Sequence, residues 1–528
     1  MRHALGLGLT LLLLAGQALG APPHSADTDA DGKFSIDELT RLIQFYVSRE
    51  FHCDGSGEDG YAIGAGDRSC PPHASDYDPQ DWRISLQELL RAIQYYNSPG
   101  VFACTDGDDG FCPRRETERP NVLLLVLDTL KAEQVDKVRD GKKVMPYLSE
   151  LAAGSTRFTR AWSAGSWTCP GMAGIFSGMY VDRFPEQSAP DGTGGQSTHF
   201  PMPAEVETIA EWLGKYGYDI WGVQTNQNVR DIWGYAQGFP TGQYNYLSQI
   251  AAYNVTEATL SAANSCEEPF FLLAQYFDPH SPYMPPSDID YPFNDEPPLT
   301  GQDAVYLSPE FYGKYARDQF EAFFGVHAAA YAPLTPAGAA VMQHRYDREC
   351  YYMDQEVGRA VDAVLGKYPN TIVVVVSDHG ESLYDRDIMG HGHTSYEELM
   401  HVPFFISGPG IPARQIDERV STMNLMPTLA RILELPLEAQ WQGHDLIQSG
   451  REEPIFGYSL ETVGGFAIET QCVVEGDLKY IDDSKFGAPQ LFDLVADPTE
   501  RSNLTGTRPE DAARLGALLE AHHAANVE

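Results

Sequence analysis

The sequence predicts an α/β fold, a doubly wound, mostly parallel sheet, preceded by a small α-helical module. Three observations predict it. Beyond residue 120 the chain holds unbroken apolar runs of strand length at 122–127, 270–277, 372–376 and 402–406, and runs that do not alternate suit strands buried on both faces. Between them lie helical spacings such as Tyr346, Cys350, Met353, Val357 and Val364, the strand–helix alternation that a doubly wound sheet needs. Ahead of residue 113, an acidic loop followed by an amphipathic helix occurs twice.

Taken in order, residues 1–20 carry Arg2, an apolar run over 5–14 and the small-residue ending Ala18-Leu19-Gly20, the pattern of a cleaved secretion signal. The run is shorter than the ~20 residues that span a bilayer, so no transmembrane segment is expected once the signal is removed, and the predicted location is secreted or periplasmic. A net charge of −39 argues against nucleic acid as a partner and against an anionic membrane surface. Eight cysteines in an oxidising compartment permit disulfides. Cys53, Cys70, Cys104 and Cys112 crowd the N-terminal quarter and are expected to pair locally, whereas Cys169, Cys266, Cys350 and Cys472 are scattered.

Residues 21–112 form the predicted calcium module. From Asp27 the chain reads DTDADGKFSIDE, which places Asp27, Asp29, Asp31, Lys33 and Glu38 at the ligand positions of an EF-hand loop. Calcium takes six to eight hard oxygens, the central glycine allows the sharp turn, and the last glutamate binds with both oxygens. The segment from Phe34 to Leu39 is echoed by the segment from Ile84 to Leu89, and Leu39, Leu42, Ile43 and Tyr46 correspond to Leu89, Ala92, Ile93 and Tyr96, a stripe by which two short helices bury each other. In the second loop Asp76, Asp78 and Asp81 are one residue out of register with Glu88, and Trp82 replaces the turn glycine, which predicts a weaker site. The module resembles EF-hand pairs and, more loosely, dockerin modules, which implies a scaffold or cell-surface partner. Residues 113–120, bounded by prolines and lacking apolar side chains, read as a linker, and 121–528 as the α/β domain.

In that domain titratable groups follow the apolar runs: Asp128 after the first, Asp278-Pro279-His280 after the second, and Ser377-Asp378-His379-Gly380-Glu381 after the third. Ligands of open α/β sheets bind just past strand ends. Asp128, Asp378 and His379 offer two hard oxygens and an imidazole, a set suited to a divalent cation with open positions.

The order of these segments, together with Thr168-Cys169-Pro170, His280-Ser281-Pro282-Tyr283, the run from Gly392 to Glu398, His401-Val402-Pro403 and Leu491-Phe492-Asp493-Leu494, resembles the sulfatase family of the alkaline phosphatase superfamily, over roughly residues 120–504. The resemblance implies that fold type and a metal-dependent hydrolase of an anionic sulfate or phosphate ester or diester. It implies a divalent metal, calcium, manganese or zinc, held by Asp128, Asp378 and His379, with Thr168 as nucleophile and further ligand. Most family members carry at this position a cysteine, in C-x-P-x-R, that is oxidised to formylglycine. Threonine cannot become that aldehyde, and Met172 stands where the arginine belongs, so phosphoryl chemistry is favoured. His280 is the expected general acid. His391 and His393 are assigned to the substrate oxygens or a second metal position, and Lys131 to the charge of the bound ester. The alternative class is a catalytically silent protein that grips an anionic glycan or lipid.

Overall fold

The computed structural model describes residues 24–28, 33–55, 59–98, 101–103, 109–113, 119–185, 187–190, 196–309, 311, 333–447, 453–463, 466–482 and 487–527. The predicted secretion signal, Asp29, Asp31, Cys104 and most of the predicted linker lie outside them.

The central sheet comprises β1 (Asn121–Leu127), β2 (Thr156–Trp162), β3 (Asp219–Gln224), β4 (Tyr244–Tyr246), β5 (Phe270–Tyr276), β6 (Thr371–Val376), β7 (His401–Ser407) and β8 (Arg414–Ser421), in the spatial order β4-β3-β5-β1-β6-β7-β2-β8. Every neighbouring pair is parallel except the two made by β7. The sheet is therefore mixed and mostly parallel, as the apolar runs predict. Side chains alternate between two cores: Val122, Leu124 and Val126 face one cluster with Val374 and Phe176, while Leu123, Leu125 and Leu127 face the other with Val373 and Met353. Burying such side chains stabilises by about 1.5–3 kcal/mol each, which explains why the central strands read as continuous apolar runs. The helical spacing from Tyr346 to Val364 belongs to the helix Pro336–Lys367, and all five of its named residues are buried. A second, antiparallel sheet of Ile455–Val463, Phe466–Glu475, Leu478–Asp482 and Gln490–Asp493 follows, and the helix Pro509–Val527 closes the chain.

The N-terminal module has its own apolar core. Its helices Ile36–Ser48 and Leu86–Tyr96 both start in a capping box, Ser35 with Glu38 and Ser85 with Glu88, in which serine and glutamate satisfy backbone N–H groups reciprocally. The module is not purely helical, because a two-stranded ribbon follows each helix. The buried stripe also differs from expectation. Phe45 and Tyr95 fill the core beside Leu39, Leu42, Leu89 and Ala92, whereas Ile43, Tyr46 and Tyr96 are exposed. The helices turn their i, i+3, i+6 positions inward, a face displaced by one residue from the predicted one.

The carboxylates of the second acidic loop bind backbone groups. Both oxygens of Asp76 accept backbone N–H groups, from Asp81 and Trp82. Glu88 accepts from Tyr77, Asp78 and Ser85. Asp76, Asp78, Asp81 and Glu88 form no metal-ligand cluster among the described residues, and in the first loop Glu38 likewise accepts the N–H groups of Thr28 and Ser35. Trp82 takes the left-handed φ of 67° that a glycine would suit. Cys53 and Cys70 form a disulfide, and Cys112 is disulfide-bonded too. Cys169, Cys266, Cys350 and Cys472 are buried thiols. Among the described residues no helix is long and apolar enough to cross a membrane.

Candidate active site at the strand ends

The pairing of β1 with β6 runs in constant register from Asn121–Thr371 to Val126–Val376, and continuing it by two residues sets Asp128 level with Asp378. Just past β1, Thr129 adopts φ 59°. This turns its N–H onto Asp378 Oδ1 at 3.3 Å, while the N–H of Leu130 donates to Ser377 Oγ at 3.0 Å.

Asp128, Asp378 and His379 are fully buried and place one ligand atom each within 4.8 Å of one another. His379 Nε2 lies 3.5 Å from Asp128 Oδ1 and 3.6 Å from Asp378 Oδ2. Its Nδ1 is 2.8 Å from the Gly380 carbonyl, which fixes the tautomer with a bare Nε2. Asp128 Oδ1 and Asp378 Oδ2 have no hydrogen-bond partner. Buried oxygens without partners are costly, and three lone pairs converging on one point repel unless a cation lies between them. Burial, then the neighbouring Asp128, pushes the Asp378 carboxyl well above its usual range. Asp128 is also raised by burial, against the opposing pull of His280 and the Asn226 hydrogen bond. Burial, followed by His391, holds His379 well below its ordinary value and hence neutral. The donor set fits a divalent cation.

Thr168 opens the helix Thr168–Ser177, whose N-terminus receives no side-chain cap and carries a partial positive charge. Thr168 Oγ1 is 3.4 Å from His379 Nε2. Cys169 is buried, its thiol donating to the Asn228 carbonyl at 3.4 Å, and Met172 packs in the core.

His280 stacks on Phe277 at 4.3 Å, its Nδ1 lies 2.6 Å from the Ser281 carbonyl, and its ring centre is 4.9 Å from that of His391. His391 in turn lies 4.5 Å from His379, with its Nδ1 2.9 Å from Glu381 Oε1. His393 is buried beside them and is pushed down to about 4, chiefly by burial. Lys131 lies just past β1 and is buried. Its ammonium pairs with Glu133 at 3.2 Å and Asp385 at 3.5 Å, so its charge is already balanced by carboxylates.

Two residues in the site escaped the sequence reading. Glu381 stands in a motif that was recognised but given no role. Asn226, whose side-chain nitrogen lies 2.7 Å from Asp128 Oδ2 and 3.0 Å from Thr168 Oγ1, follows β3. That strand reads DIWGVQ and lacks the apolar purity that marks its neighbours, although a polar residue at a strand end is the same signal that marks Asp128.

The chain matches the Sulfatase family model over residues 120–435. Its sequence relatives include the uncharacterized sulfatase YidJ of Escherichia coli (strain K12), 23% identical over 433 residues and covering 73% of this chain and 83% of that protein. Arylsulfatase K of Bos taurus is 24% identical over 455 residues, covering 76% of this chain and 81% of that one. Among solved structures, a 2-O GAG sulfatase superposes with a TM-score of 0.60 at 18% identity, covering 78% of this chain and 93% of the other. The phosphonate monoester hydrolase from Silicibacter pomeroyi gives 0.57 at 20% identity, covering 77% and 96%. The likeness to these two structures is one of fold.

Proposed function

The chain belongs to the sulfatase family, and from that premise we propose that it hydrolyses phosphate or phosphonate esters with Thr168 as covalent nucleophile. One observation carries the proposal: a threonine hydroxyl, unable to become an aldehyde hydrate, stands at a helix N-terminus beside two buried, unpartnered carboxylate oxygens. Asp128, Asp378, His379 and Thr168 Oγ1 would hold the divalent cation. Such a cation supplies Lewis acidity and neutralises charge at the reacting oxygens.

The chain's own residues do the rest. Thr168 Oγ1 gives up its proton to His280 and attacks phosphorus as the bond to the leaving oxygen breaks, with the helix N-terminus favouring the negative charge. His280, whose Nδ1–H is held by the Ser281 carbonyl and which burial keeps below its ordinary value, takes the Thr168 proton on its bare Nε2 and passes it to the departing oxygen. Water then cleaves the phospho-threonine, releasing phosphate or phosphonate and the free hydroxyl. His391, held by Glu381, and His393 border the same space and contact the ester oxygens. A silent binding protein would have no need of a nucleophile aligned with a cation site.

Sulfate esters are the second reading, favoured by the sulfatase names of the sequence relatives. The test is hydrolysis of 4-nitrophenyl phosphate, 4-nitrophenyl phenylphosphonate, bis(4-nitrophenyl) phosphate and 4-nitrophenyl sulfate with calcium, manganese or zinc, beside Thr168→Ala. Turnover of a phosphorus ester that disappears in the variant is expected. Turnover of the sulfate alone, or an active Thr168→Ala, overturns the proposal.

We extend it to the N-terminal region as a calcium module of a secreted or periplasmic protein, with the cation at Asp27, Asp29, Asp31, Lys33 and Glu38 and a scaffold or cell-surface partner. The ligand spacing and the burial of Asp27 and Glu38 support it. Calcium is expected to raise hydrogen-exchange protection over residues 33–48 in the wild type but not in Glu38→Gln; no calcium effect in the wild type would refute it.

A further inference from the structure

Resting on the reading of Thr168 as nucleophile, we infer that Asn226 is a further catalytic residue, whose amide nitrogen stabilises the Thr168 oxygen as it becomes an alkoxide and holds Asp128 beside it. Its Nδ2 carries two hydrogens and finds two acceptors, Asp128 Oδ2 at 2.7 Å and Thr168 Oγ1 at 3.0 Å. The first acceptor sets the orientation of the amide, because a carboxylate only accepts. The second hydrogen therefore points at the nucleophile oxygen.

The amide is locked at its other end too. Asn226 Oδ1 accepts the N–H of Asn228 at 3.0 Å, and the backbone N–H of Asn226 donates to Gln275 Oε1 at 3.2 Å. Gln275 also receives the N–H of Thr225 at 3.4 Å, and its carbonyl accepts Thr225 Oγ1 at 3.2 Å. Asn226 is 2% exposed and held at both ends, so the donor needs little reorganisation when charge develops.

The direction of donation matters chemically. A hydroxyl that accepts from Asn226 keeps its own proton free to leave. The hydrogen bond then strengthens as Oγ1 gains negative charge, since bonds to ionised acceptors are about twice as strong as neutral ones. That is stronger binding of the transition state than of the ground state. A carboxamide does not titrate, so the donor is present at every working pH. The bond to Asp128 meanwhile occupies Oδ2 and leaves Oδ1 to face Asp378 and His379.

The test compares Asn226→Ala and the near-isosteric Asn226→Asp with wild type and Thr168→Ala in holoenzyme, using the phosphorus ester that the wild type turns over. Loss of an oxyanion donor costs about 10²–10³-fold in kcat; a loss of that size is expected in both variants, with KM within about threefold and no recovery at saturating cation. Cation affinity is followed separately by titration calorimetry, and thermal unfolding shows that each variant is folded. A kcat within threefold of wild type in folded variants, beside an inactive Thr168→Ala, overturns the role of Asn226 alone. Recovery at high cation concentration overturns it too, because Asn226 would then act only through Asp128. An active Thr168→Ala removes the reading on which the inference rests.

Discussion

A methyl group on Gly171 would stand 2.1 Å from the carbonyl oxygen of Asp378. The helix that opens at Thr168 thus lies against the backbone of Asp378 at a distance only glycine permits, and this contact sets how near Thr168 comes to His379. Gly171→Ala must push the helix outward by a fraction of an ångström or more. A displacement of that order costs about 10²-fold in rate, and overpacking costs about 1–3 kcal/mol. We expect kcat to fall accordingly, together with a lower unfolding midpoint in calorimetry. An unchanged kcat would show that the helix is not positioned by this contact.

Asp128 Oδ1 and Asp378 Oδ2 are buried and without partners, so divalent cation should act as a stabilising ligand and not only as a cofactor. A ligand at a hundredfold excess over its Kd stabilises by about 2.7 kcal/mol. Chelation is therefore expected to lower the unfolding midpoint and abolish turnover, with both restored by added cation. In Asp378→Asn, which removes a ligand charge while keeping the shape, the cation-induced shift should largely vanish. A full shift in that variant would place the cation elsewhere.

The site was legible in the sequence where chemistry and strand ends coincide. Asp128, Asp378 and His379 each follow a run too apolar to be anything but a buried strand, and parallel pairing then brings them to one level. Asn226 was not legible because β3 carries Asp219, Trp221, Gly222 and Gln224 and gives no strand signal by itself. The partners of Lys131 were hidden for another reason: Asp385 lies far along the chain, and only the fold decides which charge reaches the ammonium first. In the N-terminal module the repeat was visible but its inward face was not, since Phe45 and Tyr46, or Tyr95 and Tyr96, are adjacent aromatic residues and packing chooses between them.

Lys479, fully buried on the second sheet, places its ammonium 2.8 Å from Glu397 Oε1 and 2.9 Å from Glu500 Oε1, and Glu397 also receives Trp162 Nε1 at 2.8 Å. The pair ties the C-terminal sheet to the segment that follows His391 and His393. Removing one partner of a buried ion pair costs about 3–5 kcal/mol, because the remaining charge is stranded. Lys479→Met is expected to destabilise by that amount in denaturant titration. Glu397→Gln added to it should cost less than the sum of the two single changes. Strict additivity would mean that the contacts do not interact energetically.

The module's two buried histidines occupy matching places in the repeat: His24 Nδ1 accepts the N–H of Ala26 and His73 Nδ1 that of Ser75, both at 3.1 Å. Burial pushes His24 down to about 4 against the upward pull of Asp109. It pushes His73 to about 3, with His24 and Arg41 adding to the effect and Asp59 and the Ser25 bond opposing it. In the unfolded chain both titrate near 6.5. The unfolded state therefore binds more protons below that pH, and stability is lost as pH falls from about 6.5 through the folded values. With both groups contributing, the slope is at most about 2.7 kcal/mol per pH unit, and shallower below pH 6, where the Asp76 carboxyl, raised to about 6 chiefly by burial, takes its proton first in the folded state. Hydrogen exchange on the full chain, corrected for intrinsic rates, should show protection over residues 33–98 falling steeply between pH 6.5 and 4.5 relative to the central sheet. His73→Asn, which keeps an acceptor for Ser75 but cannot take a proton, should roughly halve that slope; an unaltered slope would assign the acid sensitivity to the carboxylates instead.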